Sequence, residues 1–208
     1  MQTAVMVFGA LAEAIGWRLV AMRRVMVWRL MPPILLAMGV AAALARHPIA
    51  ATRVGDGTAL VVGLASGLAL YVATRVFVAV AGRWEPFRRD VVEKYQEAAE
   101  VSLGESLALS LLILVPAEEL FWRGLFQARL DESLVAAAAG AWTWLAYVGA
   151  NLASGSRPII AGAVVGGALW TGLAVWSGGV LASLLSHMLW TGLMLALPPG
   201  AGRGGRAE

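Results

Sequence analysis

Apolar residues run along the chain in long blocks that are separated by short polar segments. A helix that spans a bilayer needs roughly 20 predominantly apolar residues. Six blocks approach that length, and each predicts a transmembrane helix: 30–45, 58–81, 103–126, 133–152, 159–176 and 180–197. The pattern therefore predicts an all-α fold, a polytopic membrane helical bundle of about six transmembrane helices.

Two segments outside these blocks predict helices that lie along the membrane surface. Residues 1–29 start with an apolar stretch that leads into four arginines. This order is wrong for a secretory signal, whose charges come first, and it favours an interfacial helix at the cytoplasmic surface. Residues 83–100 are dense in both charges, with apolar residues at helical spacing, and predict a second interfacial helix. The predicted organisation is an interfacial helix over 1–29, one transmembrane bundle over 30–197 and a disordered tail over 198–208.

The composition supports the assignment to the membrane. The chain is 60% hydrophobic with only 14% charged residues, whereas soluble domains carry roughly 25% charged residues. It contains no cysteine, which excludes a disulfide, a thiol nucleophile and a cysteine-based metal site. Its net charge is only +3, and the arginines stand beside apolar blocks rather than in one basic run. We therefore expect the lipid bilayer as a partner and no nucleic acid.

The distribution of arginine and lysine predicts the topology. Basic residues before the first block, after the second, after the fourth and after the sixth all fall on one side of a six-span bundle. The connecting segments on the other side hold Arg46, Arg53 and Arg129. Because positive residues concentrate in cytoplasmic segments, we expect a multi-pass protein of the bacterial cytoplasmic membrane with both termini in the cytoplasm.

A few ionisable or amide side chains interrupt the apolar blocks. A charge at mid-bilayer costs about 2.5–3.5 kcal/mol on insertion scales, so such a residue is a functional candidate. The third block contains Glu118, Glu119 and Arg123, the fourth ends near Asn151, and the sixth contains His187. These side chains come from three blocks and can face one cavity.

Helical spacing separates the roles of the two glutamates. Glu119 and Arg123 are four residues apart, so they share a helix face and can form an ion pair. Glu118 is rotated by about 100° from Glu119, lacks that partner, and is the candidate general base. Pro116 cannot donate to the carbonyl of Leu112, which predicts a kink just before the glutamates.

Purely structural roles stay open for several of these residues. Glu119 and Arg123 can hold neighbouring helices in register, with or without a catalytic role. Asn151 can act as a hydrogen-bonding contact between helices, and His187 can be a packing residue.

Three short motifs resemble those of a known family. EELFWR at 118–123 resembles the EExxxR motif of the CPBP family, the CaaX-prenyl-protease and bacteriocin-processing (Abi) proteins, and is similar to the Rce1-type CaaX endoprotease. YVGAN at 147–151 and HMLWT at 187–191 resemble its second and third motifs. The resemblance covers about 103–197. It implies a glutamate-dependent intramembrane endopeptidase that needs no metal or other cofactor and cleaves a membrane-associated peptide or protein.

The resemblance also implies roles for individual residues. Glu118 would activate water, Glu119 and Arg123 would orient it, and His187 would donate to the oxyanion. Two positions depart from the family pattern: one has an asparagine where a histidine is expected, and the other has a threonine where asparagine or aspartate is expected. Both keep hydrogen-bonding groups, although asparagine does not titrate near neutrality. The implied catalytic set is Glu118, Glu119, Arg123, Asn151, His187 and Thr191.

Other functions are weighed against this one. A family member without catalysis would serve as an immunity, scaffold or sorting factor, and a small transporter would relay protons through Glu118 and His187. A zinc site would lack a second intramembrane histidine as a ligand. The three aspartates fall in connecting segments, which excludes an intramembrane protease that uses a pair of aspartates. Ser154 with His187 only faintly resembles the rhomboid serine–histidine dyad. The sequence indicates neither the substrate nor the oligomeric state.

Overall fold

The computed structural model describes residues 1–46 and 53–199, and within them the chain forms eight helices. In chain order these are α1 (Gln2–Ala21), α2 (Val27–Ala45), α3 (Asp56–Ala81), α4 (Glu85–Ala98), α5 (Leu103–Leu130), α6 (Ala136–Leu152), α7 (Arg157–Ser177) and α8 (Leu181–Ala196). Each predicted span corresponds to one helix, and the described residues contain no strand. The all-α prediction is confirmed. Most of the predicted tail, residues 200–208, lies outside the described residues.

The outer surface of the bundle is suited to lipid. Among the described helices, α1, α2, α3 and α7 are long and apolar enough to cross a membrane, α4 with α5 adds a candidate as one broken span, and α8 is a shorter apolar helix. Large apolar side chains such as Val61, Leu112 and Trp142 are more than half exposed. Exposed apolar surface of this extent marks contact with lipid or protein. The chain is a multi-pass membrane protein.

The helix predicted within 83–100 is α4, which lies across one end of the bundle. It makes an angle of 95° with α5. Its polar face forms ion pairs with other helices, since Asp90 accepts from Arg157 at 3.0 Å and Glu93 accepts from Arg23 at 2.7 Å. Phe87 of α4 is buried. We call this end of the molecule the α4 end.

The first helix is part of the bundle. The sequence pattern predicts an interfacial helix over residues 1–29, whereas α1 packs against α2, α5 and α6 and has the length and composition of a membrane span. Its buried residues recur every three or four positions, which is the spacing of one helix face. They are Met6, Gly9, Glu13, Gly16 and Val20.

This packing fixes which residues share an end of the bundle. The amide of Gln2 donates to the Ala45 carbonyl at 3.0 Å, so α1 begins beside the end of α2. Arg23, just after α1, pairs with α4, and a tyrosine of α4 donates to the Met194 carbonyl of α8. Gln2 and Met194 therefore lie at opposite ends of the bundle. Both termini can lie in the cytoplasm only if α1 lies outside the bundle of six spans.

Two glycines allow close approach between helices next to the candidate site. A Cβ atom on Gly67 of α3 would lie 2.6 Å from the Ser186 carbonyl oxygen of α8. One on Gly39 of α2 would lie 2.7 Å from the Ala117 Cα of α5. No residue with a side chain fits at either position without displacing backbone. Each contacted residue directly precedes a candidate site residue, so these two contacts set where the site residues stand.

Candidate active site

The helix that carries the glutamates is irregularly wound. Two π-helical segments of α5, Ser110–Leu114 and Leu120–Gln127, flank the α-helical stretch Val115–Glu119. Pro116 has no N–H group and removes one regular backbone hydrogen bond. Short π-helical segments inside α-helices frequently occur at functional sites. The kink predicted just before the glutamates is present as these two π-helical segments.

Glu119 lies at the centre of a buried polar cluster. Its Oε1 accepts from Arg123 Nη1 at 3.1 Å, as the spacing predicted, and the same oxygen lies 2.9 Å from Nδ1 of His187. An ionised carboxylate can only accept hydrogen bonds. Nδ1 of His187 therefore donates, and Nε2 of the ring is left for other partners. The contact joins α5 to α8.

Arg123 connects the cluster to two further helices. Its Nη2 donates to the Gly167 carbonyl at 3.2 Å and to the Thr171 hydroxyl at 3.3 Å, both on α7. Its guanidinium carbon lies 4.8 Å from the ring centre of Tyr147 on α6. A buried charge is tolerated when it is paired and hydrogen-bonded in this way. Arg123 also borders a cavity of about 120 Å³ that includes Arg46 at the end opposite α4.

Glu118 stands on the other side of the histidine ring. Its Oε2 is 3.9 Å from Nε2 of His187. That separation is too long for a direct hydrogen bond and short enough for one water molecule to bind both atoms. The Glu118 side chain is 11% exposed, against 1% for Glu119. The ring of His187 is held in place by stacking on Trp170, with ring centres 3.5 Å apart.

Asn151 and Thr191 are placed differently from the other predicted residues. The Asn151 amide nitrogen donates to the Tyr147 carbonyl at 3.0 Å and to Oε1 of Glu13 at 3.3 Å. Thr191 is partly buried one turn after His187, and its side chain forms no hydrogen bond with any described residue. The structure therefore brings together Glu118, Glu119, Arg123 and His187, and it links Asn151 to a residue that the sequence analysis did not select.

That residue is Glu13 of α1. It is 0% exposed, and its second oxygen accepts from Nε1 of Trp122 at 2.9 Å. An acidic residue within an apolar stretch of spanning length was a sufficient signal. It was overlooked because the arginines that follow favoured an interfacial helix.

The cluster contains more acidic groups than cations. Glu13, Glu118 and Glu119 share it with the guanidinium of Arg123. Three ionised carboxylates opposite one cation carry a large desolvation penalty in a low-dielectric interior, so the protonation of each carboxyl group is coupled to that of the others and of His187. Among the described residues, no group of three or more histidine, aspartate or glutamate side chains is arranged to bind a metal ion. The arrangement is suited to holding and moving protons.

Comparison with known proteins identifies one family. Residues 103–193 match the model described as type II CAAX prenyl endopeptidase Rce1-like. The matched range contains the EExxxR motif and His187, so the resemblance inferred from the motifs is confirmed, and α1 with Glu13 lies outside it. No curated protein and no solved structure matches the chain significantly.

Proposed function

Because residues 103–193 match the Rce1-like family, we propose that the protein is a glutamate-dependent, metal-independent intramembrane endopeptidase. Its substrate is a membrane-associated peptide or protein. The observation that carries the proposal is the position of Glu118, whose carboxylate lies 3.9 Å from Nε2 of a histidine that Glu119 holds through Nδ1.

The geometry supports a two-step hydrolysis. A water molecule between Glu118 and His187 gives a proton to Glu118 while its oxygen attacks the carbonyl carbon of the scissile peptide bond. Protonated His187 donates its Nε2–H to the resulting oxyanion, and the Glu119 carboxylate balances the charge of the ring. The C–N bond then breaks, and Glu118 returns its proton to the leaving amine. The acid and amine products are released.

The test is cleavage of membrane peptides by purified protein in proteoliposomes. We expect Glu118→Gln and Glu118→Ala to lower kcat by about 10²–10⁴-fold, the usual contribution of a general acid or base. Glu105→Gln is the matched control, because Glu105 is an exposed glutamate of the same helix. Prenylated and unmodified versions of each peptide would identify the substrate class. Folded Glu118 variants that cleave as fast as wild type would exclude the mechanism.

We also propose that the α4 end faces the cytoplasm. Its surface and connecting segments hold most of the basic residues outside the bundle, and cytoplasmic segments are enriched in lysine and arginine. These residues are Arg23, Arg24, Arg83, Arg88, Arg89, Lys94 and Arg157. With α1 spanning the membrane, Gln2 then lies on the opposite side.

One observation favours a second candidate function. Asn151, at the place where the family motif has a histidine, gives both of its N–H groups to other acceptors. A family member with a weakened site could bind a peptide without cleaving it, as an immunity, scaffold or sorting factor. Wild-type protein that binds the peptides and does not cleave them would favour this candidate.

A further inference from the structure

Glu13 is a buried acidic side chain that the mechanism above does not use. Each carboxylate oxygen has a hydrogen-bond donor, Asn151 on α6 for Oε1 and Trp122 on α5 for Oε2. Full burial of a carboxyl group is unfavourable, and a neutral residue would pack α1 at a lower cost. The presence of the carboxyl group therefore needs a reason beyond packing.

The hydrogen bonds of Asn151 show how Glu13 sets the orientation of the Asn151 amide. Oε1 of Glu13 and the Tyr147 carbonyl are both acceptors, so the Asn151 side chain must turn its NH₂ group towards them. Its Oδ1 is then directed away and binds no donor among the described residues. Glu13 thereby leaves Oδ1 as the group of Asn151 that is available to a further donor.

Glu13 is also coupled to the reacting glutamate through charge. The carboxyl groups of Glu13 and Glu118 interact electrostatically across the cluster. In the family pattern this part of the site holds a histidine, which can both accept a hydrogen bond and carry a proton. Asn151 can accept and cannot carry a proton, whereas a carboxyl group can carry one.

We propose that Glu13 is a positioning residue of the peptidase site. It orients the Asn151 amide, and the two side chains together take the place of the histidine in the second family motif. The proposal rests on the proposed function, and it adds to the site a residue outside the matched range.

The packing of α1 supports a fixed position for Glu13. Gly9 lies one turn before it on the same face, and a Cβ atom there would overlap the fully buried ring of Phe121. Gly16 lies one turn after it, and a Cβ atom there would lie 3.0 Å from Sδ of Met31. Small residues on both sides let α1 approach α5 and α2 closely.

The experiment compares cleavage by wild type, Glu13→Gln, Asn151→Ala, their double variant and Glu13→Gln/Asn151→His. Glutamine keeps an acceptor for Trp122 but turns an NH₂ group towards Asn151, which forces the asparagine amide to reverse. We expect Glu13→Gln and Asn151→Ala each to lower kcat by about 10- to 100-fold, the effect of a small misplacement at a reacting centre. KM should stay within about twofold, and the double variant should lose no more than either single variant.

The histidine variant separates positioning from a purely structural role. Asn151→His restores the family residue, so we expect it to recover most of the kcat lost by Glu13→Gln. Wild-type kcat in Glu13→Gln, additive losses in the double variant, or no recovery with histidine would each overturn the proposal. Loss of cleavage in Glu118→Gln together with unchanged cleavage in Glu13→Gln would overturn this inference alone.

A wild-type protein that cleaves no peptide would refute the proposed function instead. The coupling of Glu13 to Asn151 is then tested by thermal unfolding of wild type, Glu13→Gln, Asn151→Ala and their double variant. Non-additive shifts of the unfolding midpoint for Glu13→Gln and Asn151→Ala would support the coupled pair, and additive shifts would overturn it.

Discussion

At the scale of the residue, two adjacent glutamates meet different surroundings. Glu119 is bound by Arg123 on its own helix and by His187 on α8, and neither Glu119 nor Arg123 is accessible to solvent. Glu118 approaches His187 at the longer distance of 3.9 Å and also interacts with the side chain of Tyr147. The two residues should therefore differ in what they contribute to stability and to catalysis.

We expect Glu119→Gln to lower the free energy of unfolding by about 3–5 kcal/mol, because it leaves the Arg123 charge buried without its counter-ion. Glu118→Gln leaves the ion pair of Glu119 with Arg123 in place and should change the free energy of unfolding by less than about 1 kcal/mol. Both are measured by unfolding in detergent micelles. An equal destabilisation by the two variants would contradict the division of roles.

The sequence was sufficient for local contacts at this scale and insufficient for distant ones. The four-residue spacing predicted the pair of Glu119 and Arg123, because helix geometry alone decides it. The contact between Glu119 and His187 joins residues 68 positions apart, and that between Glu13 and Asn151 joins residues 138 apart. Both contacts depend on how the helices pack together, and the spacing of residues along one helix does not predict that packing.

At the scale of the element, the positions of α5 and α8 depend on glycine contacts. The Ser186 carbonyl of α8 occupies the space that a side chain at Gly67 of α3 would need, and Ser186 directly precedes His187. A larger residue must push α8 away and shift the histidine from the glutamates. Small residues at helix contacts have this function in many membrane proteins.

We expect Gly67→Ala to lower the free energy of unfolding by about 1–3 kcal/mol, as overpacked sites do, and to lower kcat as well. Gly172→Ala is the control, since Gly172 lies within α7 and a Cβ atom there meets nothing within 4 Å. The control should retain wild-type cleavage and midpoint. Equal behaviour of the two variants would show that the close approach does not position His187.

Helix existence and type were predictable because long apolar blocks and charged interruptions are strong signals. The winding of α5 was predictable only in part. Pro116 indicates that one backbone hydrogen bond is missing, but the choice between a kink and π-helical segments depends on how Gly39 and other residues pack against the helix. The placement of α1 was the least predictable, because its apolar stretch and its following arginines fit both an interfacial and a spanning helix.

At the scale of the whole molecule, the absence of cysteine offers a direct test of orientation. Single cysteines at Thr3, Ser133 and Glu100 place one label site near Gln2, one between α5 and α6, and one after α4. We expect Thr3→Cys and Ser133→Cys to react with an impermeant thiol reagent from the side opposite the cytoplasm, and Glu100→Cys only from the cytoplasmic side. Labelling of Thr3→Cys and Glu100→Cys from the same side would show that α1 lies along the membrane surface and does not span the bilayer.

The packing of α1 has a consequence for how the protein is made. α1 is translated before α5 and α6, yet the donors to Glu13 lie 109 and 138 residues further along the chain. Until those helices have been inserted, Glu13 faces hydrocarbon without a hydrogen bond, at the cost of about 2.5–3.5 kcal/mol that a charge in a lone span carries. We therefore expect α1 to dock in its final position only after α5 and α6 have been inserted.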